Sequence, residues 1–326
     1  MVGMPGYDIL TPIGGGLLLC IGLTFWLKQR LANKPCWDDR RQDHLLVLFL
    51  PVLIGSLVSW HLFQDMEVMG HPPWEASWWA CPPLLGLVLS LGLCLFGMTS
   101  YLLRHSYLGY LLWNCSREDS EVSQVQVLVN EMAQRAGVTP PRVRRLLSTK
   151  PRAVVVGLFK PVLYLSSWYF NHFPLTALQP VLAHELAHIA RQDNLIAVWA
   201  SGLLSGSFWS PASWQSFQAL LRERELAADE LAARYTGEPL KLARVLLKVS
   251  EADLIGTPLP ASSFEEYTDL EARVERLIEL HQAGSLAGTP SMATDKLNFF
   301  SFLQVWLLIG VAFLATNVLP HWLQLP

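Results

Sequence analysis

Two histidines four residues apart carry the clearest chemical signal in this sequence. His184 and His188 enclose Glu185 within residues 183–188. Because an α-helix turns once in about 3.6 residues, the two imidazoles lie on one face, where they can bind one Zn²⁺ at roughly 2.0–2.1 Å each. Glu185 is offset by one position, which places a general base beside the metal, within reach of a proton on its water. The alternative is a surface helix that carries two histidines by chance.

A second pair of residues four apart lies downstream, in the helix-favouring stretch 223–233. Zinc in a hydrolytic site usually takes three protein ligands and leaves one position for water. The sequence therefore predicts Glu225 as the third ligand. Asp229 is predicted to accept a hydrogen bond from the far nitrogen of a ligand histidine, which would fix its tautomer. The alternative for both carboxylates is an ordinary solvated helix face, but together with the histidines they predict one Zn²⁺ per chain.

The composition predicts a membrane protein. The chain has 326 residues, of which 52% are hydrophobic and only 16% are charged, whereas soluble domains average about 25% charged residues. Four apolar runs are each long enough to cross a hydrocarbon core of about 30 Å. They cover residues 9–27, 45–63, 82–103 and 297–319. The net charge of −3 argues against nucleic-acid binding, and the five scattered cysteines predict neither a disulfide framework nor a thiolate metal site.

The loops between these runs differ in charge, and this difference predicts a topology. The connection 64–81 has no lysine or arginine, whereas the first loop has Lys28, Arg30, Lys34, Arg40 and Arg41. Because basic residues stay on the cytoplasmic side, the N-terminus is expected outside and the catalytic part in the cytoplasm. The predicted fold is a mostly α membrane protein: three transmembrane helices in 1–114, a cytoplasmic α+β domain with a small sheet in 115–296, and a fourth transmembrane helix with a short tail in 297–326.

Short strands and helix signals surround the zinc helix. Residues 153–156 and 162–165 are rich in β-branched and apolar residues and are predicted strands, and residues 142–147 are a third predicted strand. Thr176 and Gln179 resemble a capping box that would begin the zinc helix. Residues 195–209 are uncharged but short for a membrane crossing, so they form either a buried core helix or a segment that dips into the bilayer.

These motifs resemble those of integral-membrane gluzincin metallopeptidases, above all the BlaR/MecR-type antibiotic-sensor peptidases. The resemblance rests on residues 184–188, on the stretches 191–195 and 225–229, and on the strand pair joined by 157–161. The HtpX and CAAX prenyl endopeptidase group shares both motifs but usually carries two full membrane helices between them. The resemblance implies a zincin (gluzincin) fold with the zinc ligands His184, His188 and Glu225, the base Glu185 and the supporting Asp229.

The resemblance implies a membrane-embedded endopeptidase that cuts a cytoplasmic protein, such as a transcriptional repressor. An HtpX-like protease that removes damaged membrane proteins is the second interpretation. A hypothesis of another class is a non-catalytic membrane receptor or scaffold with structural zinc. An intact Glu185 argues against the scaffold, because structural zinc sites need no base.

Two further predictions concern substrate binding. A substrate strand is expected to pair with the edge formed by Val154, Val155, Val156, Gly157 and Leu158, since main-chain pairing gives affinity with little sequence preference. Arg273 resembles an arginine that follows the second motif in HtpX-like proteins, where it would assist the oxyanion. The alternative is an exposed helix arginine beside Glu275 and Arg276.

Overall fold

The computed structural model describes residues 82–254 and 263–284, together with 22, 25, 29, 40, 41, 43–49 and 51. Residues 1–292 belong to one compact unit, and 293–326 form a second unit that lies outside the described residues. The described part is mostly helical with one small sheet. The domain boundaries at 114 and 296 stay a prediction.

Eight α-helices and four strands follow one another in residues 82–254 and 263–284. The helices are α1 (Pro82–Asn114), α2 (Ser120–Ala136), α3 (Ser167–His172), α4 (Gln179–Ala190), α5 (Asp193–Gly206), α6 (Pro211–Thr236), α7 (Pro239–Leu254) and α8 (Ser263–Gln282). The strands are β1 (Ser116–Arg117), β2 (Arg142–Leu146), β3 (Ala153–Val156) and β4 (Val162–Ser166). The three predicted strands are thus present, each within a residue or so of its expected bounds.

The sheet has the strand order β1-β2-β4-β3, which leaves β3 at an edge. Strands β2 and β4 are parallel, and the other two pairs are antiparallel. The β3–β4 connection is a tight turn in which Gly157 has φ 111°, and a Cβ there would lie 2.6 Å from the carbonyl oxygen of Lys160. Only glycine tolerates this backbone conformation without strain.

One hydrophobic core lies between the sheet and helices α2, α4, α6, α7 and α8. Helix α2 begins at Asp119, whose side chain accepts a hydrogen bond from Val122 N, and ends at Gly137 in the left-handed conformation. Such capping satisfies backbone groups that a helix end leaves unpaired. The core buries fully the leucines at 163, 165, 182, 186 and 277, and burying a leucine side chain stabilises a fold by about 1.5–3 kcal/mol. This packing fixes α4, the helix that carries the histidine pair.

The prediction of four transmembrane helices is wrong: within the described residues, no helix combines the length and the apolar character that a membrane crossing requires. The run 82–103 is instead the first part of α1, which continues through Arg104 and His105 to Asn114. The absence of charge along a run therefore did not mark the end of the helix, because the backbone hydrogen bonds continue regardless of side-chain polarity. Of the other three predicted runs, 297–319 lies wholly outside the described residues, and 9–27 and 45–63 lie mostly outside them.

The uncharged stretch that begins at 195 forms most of α5, which packs along α1. Gly97 and Gly202 allow the two backbones to approach closely, since a Cβ at Gly97 would lie 2.8 Å from Ser201 O and one at Gly202 would lie 3.0 Å from Cys94 O. Residues of α5 are also buried toward the rest of the domain, including Ile196, Ala197, Val198 and Ala200. The structure thus favours the packed core helix for this stretch.

Candidate metal centre

Helix α4 is buried along most of its length, which holds the histidine pair rigidly. It follows a 3₁₀ turn at Leu175–Leu178 and has Pro180 in its first turn, where the missing N–H costs no hydrogen bond. The predicted capping box is wrong, because Leu178 occupies the N-cap and no side chain caps the helix there. The 3₁₀ turn continues directly into α4, and it precedes the helix where a side-chain cap was predicted.

The two histidine rings converge on one point. Nε2 of His184 and Nε2 of His188 lie 3.1 Å apart. The other nitrogen of each ring faces a carboxylate: His184 Nδ1 lies 2.8 Å from Asp229 Oδ1, and His188 Nδ1 lies 2.7 Å from Asp193 Oδ2. Because the carboxylates favour a proton on both Nδ1 atoms, the two Nε2 lone pairs face each other and need a cation or proton between them.

Glu225 completes a triangle of donor atoms. Its Oε2 lies 3.5 Å from His184 Nε2 and 3.7 Å from His188 Nε2. Ligands at about 2.05 Å in a tetrahedral zinc site lie about 3.3 Å from one another. The three observed separations bracket that value, so this His-His-Glu group could hold a metal ion. The second oxygen, Oε1, accepts hydrogen bonds from Arg224 Nη2 at 2.8 Å and Nε at 3.1 Å.

Asp229 is held by two partners at once. Arg273 donates to it from Nε at 2.6 Å and from Nη2 at 3.0 Å, in a bidentate pair. The Arg273 side chain is only 18% exposed, and Nη1 lies 3.9 Å from Glu225 Oε2. The alternative of an exposed surface arginine is therefore wrong for Arg273. Its closest partner is the carboxylate behind His184, and this geometry indicates support of Asp229.

The electrostatics of the site match a bound cation. Burial raises the pKa of Glu225, Asp193 and Asp229, but the neighbouring histidines and arginines outweigh it, so the pKa of each stays below its usual value. Burial lowers the pKa of His188, but its hydrogen bond with Asp193 and the negative charges of Asp193 and Glu225 raise it to about 10. Three ionised carboxylates thus surround two imidazoles, which stabilises positive charge between the rings.

Glu185 stands beside this group in a different environment. It is 7% exposed, and burial raises the pKa of its carboxyl, although the two histidines act in the opposite direction. A carboxylate with a raised pKa is a better proton acceptor near neutral pH than an ordinary one. Its position next to the histidine pair is the one that the sequence predicts for a general base.

A cavity of about 340 Å³ opens at the site. Its walls include Glu185, Tyr169 and the residues 151–155 at the edge of the sheet. Helix α7 contributes mostly apolar residues to the lining: Leu242, Val245, Leu246 and Val249, together with Asp253. A cleft with an apolar wall and a few polar groups is typical of sites that bind extended peptides or small molecules.

The predicted substrate edge is only partly an edge strand. Val154, Val155 and Val156 belong to β3, whereas Gly157 and Leu158 lie in the turn beyond it. The β3–β4 ladder confirms that β3 has one unpaired side within the sheet.

Sequence reasoning missed three side chains of the site. Asp193 orients His188, Arg224 holds Glu225, and Asn194 contacts the edge of the sheet. Asp193 and Asn194 lie in the stretch 191–195, whose family resemblance predicts no role for either side chain. The sequence did offer one clue to Asp193, which is an acidic residue five positions after His188. The direction of its side chain, however, depends on Gln192, whose φ of 57° turns the chain back.

Comparisons with known proteins agree with this geometry. A family model described as BlaR1 peptidase M56 matches residues 76–277. A protein named Protease HtpX homolog from Thermococcus kodakarensis is 26% identical over 224 residues, which cover 51% of this chain and 77% of that protein. One of the same name from Acaryochloris marina is 28% identical over 231 residues, 55% of this chain and 78% of its own length. The family model spans well over half of the sequence, and the chain belongs to the BlaR1 peptidase M56 family.

Proposed function

We propose that this protein is a zinc metalloendopeptidase that hydrolyses peptide bonds of a protein substrate. The observation that carries the proposal is the triangle of His184 Nε2, His188 Nε2 and Glu225 Oε2, with edges of 3.1, 3.5 and 3.7 Å. A buried carboxylate, Glu185, lies beside it, and a cleft opens at the same place.

The three donor atoms would hold one zinc ion. When bound, zinc supplies a Lewis acid that activates water and polarises the scissile carbonyl. Asp193 and Asp229 keep the Nδ1 protons on the histidines, so that both Nε2 atoms offer lone pairs. Arg224 occupies Oε1 of Glu225, which leaves Oε2 directed at the histidines.

Glu185 would act as general base and then as general acid. It takes a proton from the attacking water and later delivers it to the nitrogen of the leaving amine. Its raised pKa favours acceptance of the proton from water, and the leaving amine, which is more basic than a carboxylate, takes the proton in the later step. The buried position of Glu185 keeps bulk water from competing for the proton.

An extended peptide would lie in the cleft between β3 and α7. Main-chain pairing with the sheet edge gives affinity without strict sequence preference. The apolar wall of α7, with Leu246 and Val249 half-buried at the cleft, would accept an apolar side chain next to the scissile bond.

Two substrate classes follow from the family and its relatives. A cytoplasmic transcriptional repressor fits a signalling role of the BlaR type, and a damaged membrane protein fits an HtpX-like role. We also propose that the protein acts at a lipid bilayer with its active site on the cytoplasmic side, in agreement with the charge asymmetry of the N-terminal loops. Glu185→Gln holds its substrate without cutting it, so an added chemical crosslinker captures bound proteins in cells that express this variant, and mass spectrometry then distinguishes the two substrate classes.

The decisive experiment compares zinc content with turnover. Glu185→Gln is expected to retain one zinc per chain and to lose casein cleavage by more than about a hundredfold, because general base catalysis contributes roughly 10²–10⁴-fold. The matched control is Glu275→Gln, the same change at an exposed position of α8, which is expected to leave turnover unchanged. Equal turnover by Glu185→Gln and the parent would refute the base role of Glu185, whereas a zinc-loaded parent that leaves casein uncleaved would support a scaffold with structural zinc.

A further inference from the structure

Strand β3 presents backbone groups alternately to β4 and to the cleft. Ser166 N donates to Arg152 O at 2.8 Å, so these two residues form a hydrogen-bonded pair across the two strands. In an antiparallel ladder every second pair is of this kind. Counting along the register from Arg152, the residues whose N–H and C=O point away from β4 are Ala153, Val155 and Gly157.

Two side chains occupy half of these outward groups. Asn194, in the first turn of α5, donates from Nδ2 to Val155 O at 3.2 Å and to Gly157 O at 3.4 Å. His105 of α1 accepts the N–H of Gly157 at Nε2, with a distance of 3.0 Å. Burial lowers the pKa of His105, which favours the neutral ring that this contact requires.

Three outward groups have no partner among the described residues: N–H and C=O of Ala153 and N–H of Val155. The cavity runs along this part of the strand, since residues 151–155 line it together with Asn194. The edge of the sheet is therefore divided into an open half beside the metal-binding group and a half that is closed by side chains of two helices.

We propose that His105 and Asn194 form a stop on this edge, so that a peptide pairs with Ala153 and the Val155 N–H and no further along the strand. The inference rests on the proposed peptidase function and states where its substrate ends its pairing. A peptide residue opposite Ala153 exchanges two main-chain hydrogen bonds with it, and Val155 N–H takes a third acceptor. Peptide residues that continue toward Gly157 meet backbone groups that are already occupied, so they add no main-chain affinity.

The test measures peptide binding in a Glu185→Gln background, where cleavage does not interfere. Three fluorescent peptides are used: a core peptide, and the core extended by two residues at its N-terminus or at its C-terminus. Without the stop, each new main-chain bond would tighten Kd by about 2- to 12-fold. In the Glu185→Gln protein that keeps His105 and Asn194, the peptide extended toward Gly157 is expected to differ in Kd from the core peptide by less than about twofold.

The double variant His105→Ala/Asn194→Ala frees the closed half of the edge. One extended peptide is then expected to bind about 2- to 12-fold more tightly than the core peptide for each bond gained. The ratio between peptides is the readout, because a purely structural role of the two side chains would weaken all three peptides alike. If the ratio of Kd between extended and core peptides is the same with and without the double substitution, the stop is overturned and the peptidase function stands. If, in addition, the parent protein does not cleave casein, both proposals are overturned.

A second variant locates the pairing itself. Ala153→Pro removes the outward N–H and leaves the ladder to β4 intact, since proline is tolerated where an edge-strand N–H faces away from the sheet. All three peptides are expected to bind about 2- to 12-fold more weakly to it, whereas the control Ala153→Ser retains the N–H and the parent affinity. Unchanged binding by Ala153→Pro would show that substrate does not pair at this residue.

Discussion

His188 and Asp193 face each other across the turn between α4 and α5, with Nδ1 of the histidine 2.7 Å from Oδ2 of the carboxylate. Gln192 adopts φ 57° in this turn, which directs the first residue of α5 back toward the histidine. Asp193 is 2% exposed and also lies 3.4 Å from Arg191 Nε. The second histidine is thus held by a carboxylate of its own, as Asp229 holds the first.

This relationship makes Asp193 important for metal affinity. Asp193→Ala is expected to weaken zinc binding by about 10- to 100-fold, because a ligand histidine without its hydrogen-bond partner loses orientation and basicity. Competition with a chromophoric chelator measures the affinity. The matched control is Asp269→Ala, which removes an aspartate of α8 whose side chain is 44% exposed. This change is expected to leave the zinc affinity unaltered. Parent-like zinc affinity in Asp193→Ala would contradict the orienting role.

Arg273 offers a choice between two roles that kinetics can separate. If it supports Asp229, Arg273→Gln lowers zinc affinity by about tenfold together with kcat/KM, since the carboxylate behind His184 loses its bidentate partner. An arginine that only stabilised the oxyanion would lower kcat and leave zinc affinity unchanged. Arg276→Gln, one turn along the helix face and paired with Glu230 and Glu279, is the control. We expect the first result, with both quantities reduced.

The contact between His105 and Gly157 N makes the stability of the fold depend on pH in a defined direction. Burial lowers its pKa below the ordinary 6.5, so the unfolded chain takes up a proton first as the pH falls. The stability that the neutral ring contributes is therefore present above pH 6.5 and is lost as the pH falls from there toward the lower folded-state pKa. His105→Gln keeps an acceptor that does not titrate. Its Tm is expected to fall less than that of the parent between about pH 7 and 5, and parallel curves for the two proteins would contradict this.

The close contact of α1 and α5 predicts a difference between two glycines of one helix. Gly97→Ala places a methyl group 2.8 Å from the backbone oxygen of Ser201, and such overpacking typically costs about 1–3 kcal/mol. Gly92→Ala meets nothing within 4 Å and is expected to stabilise α1 by up to about 1 kcal/mol. Denaturant unfolding of both variants gives the free energies of unfolding. A loss at Gly92 equal to that at Gly97 would show that helix packing is not the cause.

Several elements could be predicted from the sequence because their signals are local. The helical period places His184, Glu185 and His188 relative to one another, and the same period places Glu225 relative to Asp229. Short apolar runs marked β3 and β4 for the same reason. The predicted span at 82–103 failed because an apolar run shows neither where its helix ends nor what packs against it, as α1 demonstrates.

The sequence by itself therefore determined the two short motifs and the chemistry that their side chains can perform. Only the tertiary structure decided that the motifs meet, that Arg273 reaches Asp229 across 44 positions of the chain, and that half of the β3 edge is closed by His105 and Asn194. The physical reason is that these contacts depend on how distant helices pack. Packing distributes its free energy over many side chains of the core, whereas the spacing of residues within one helix follows from backbone hydrogen bonds alone.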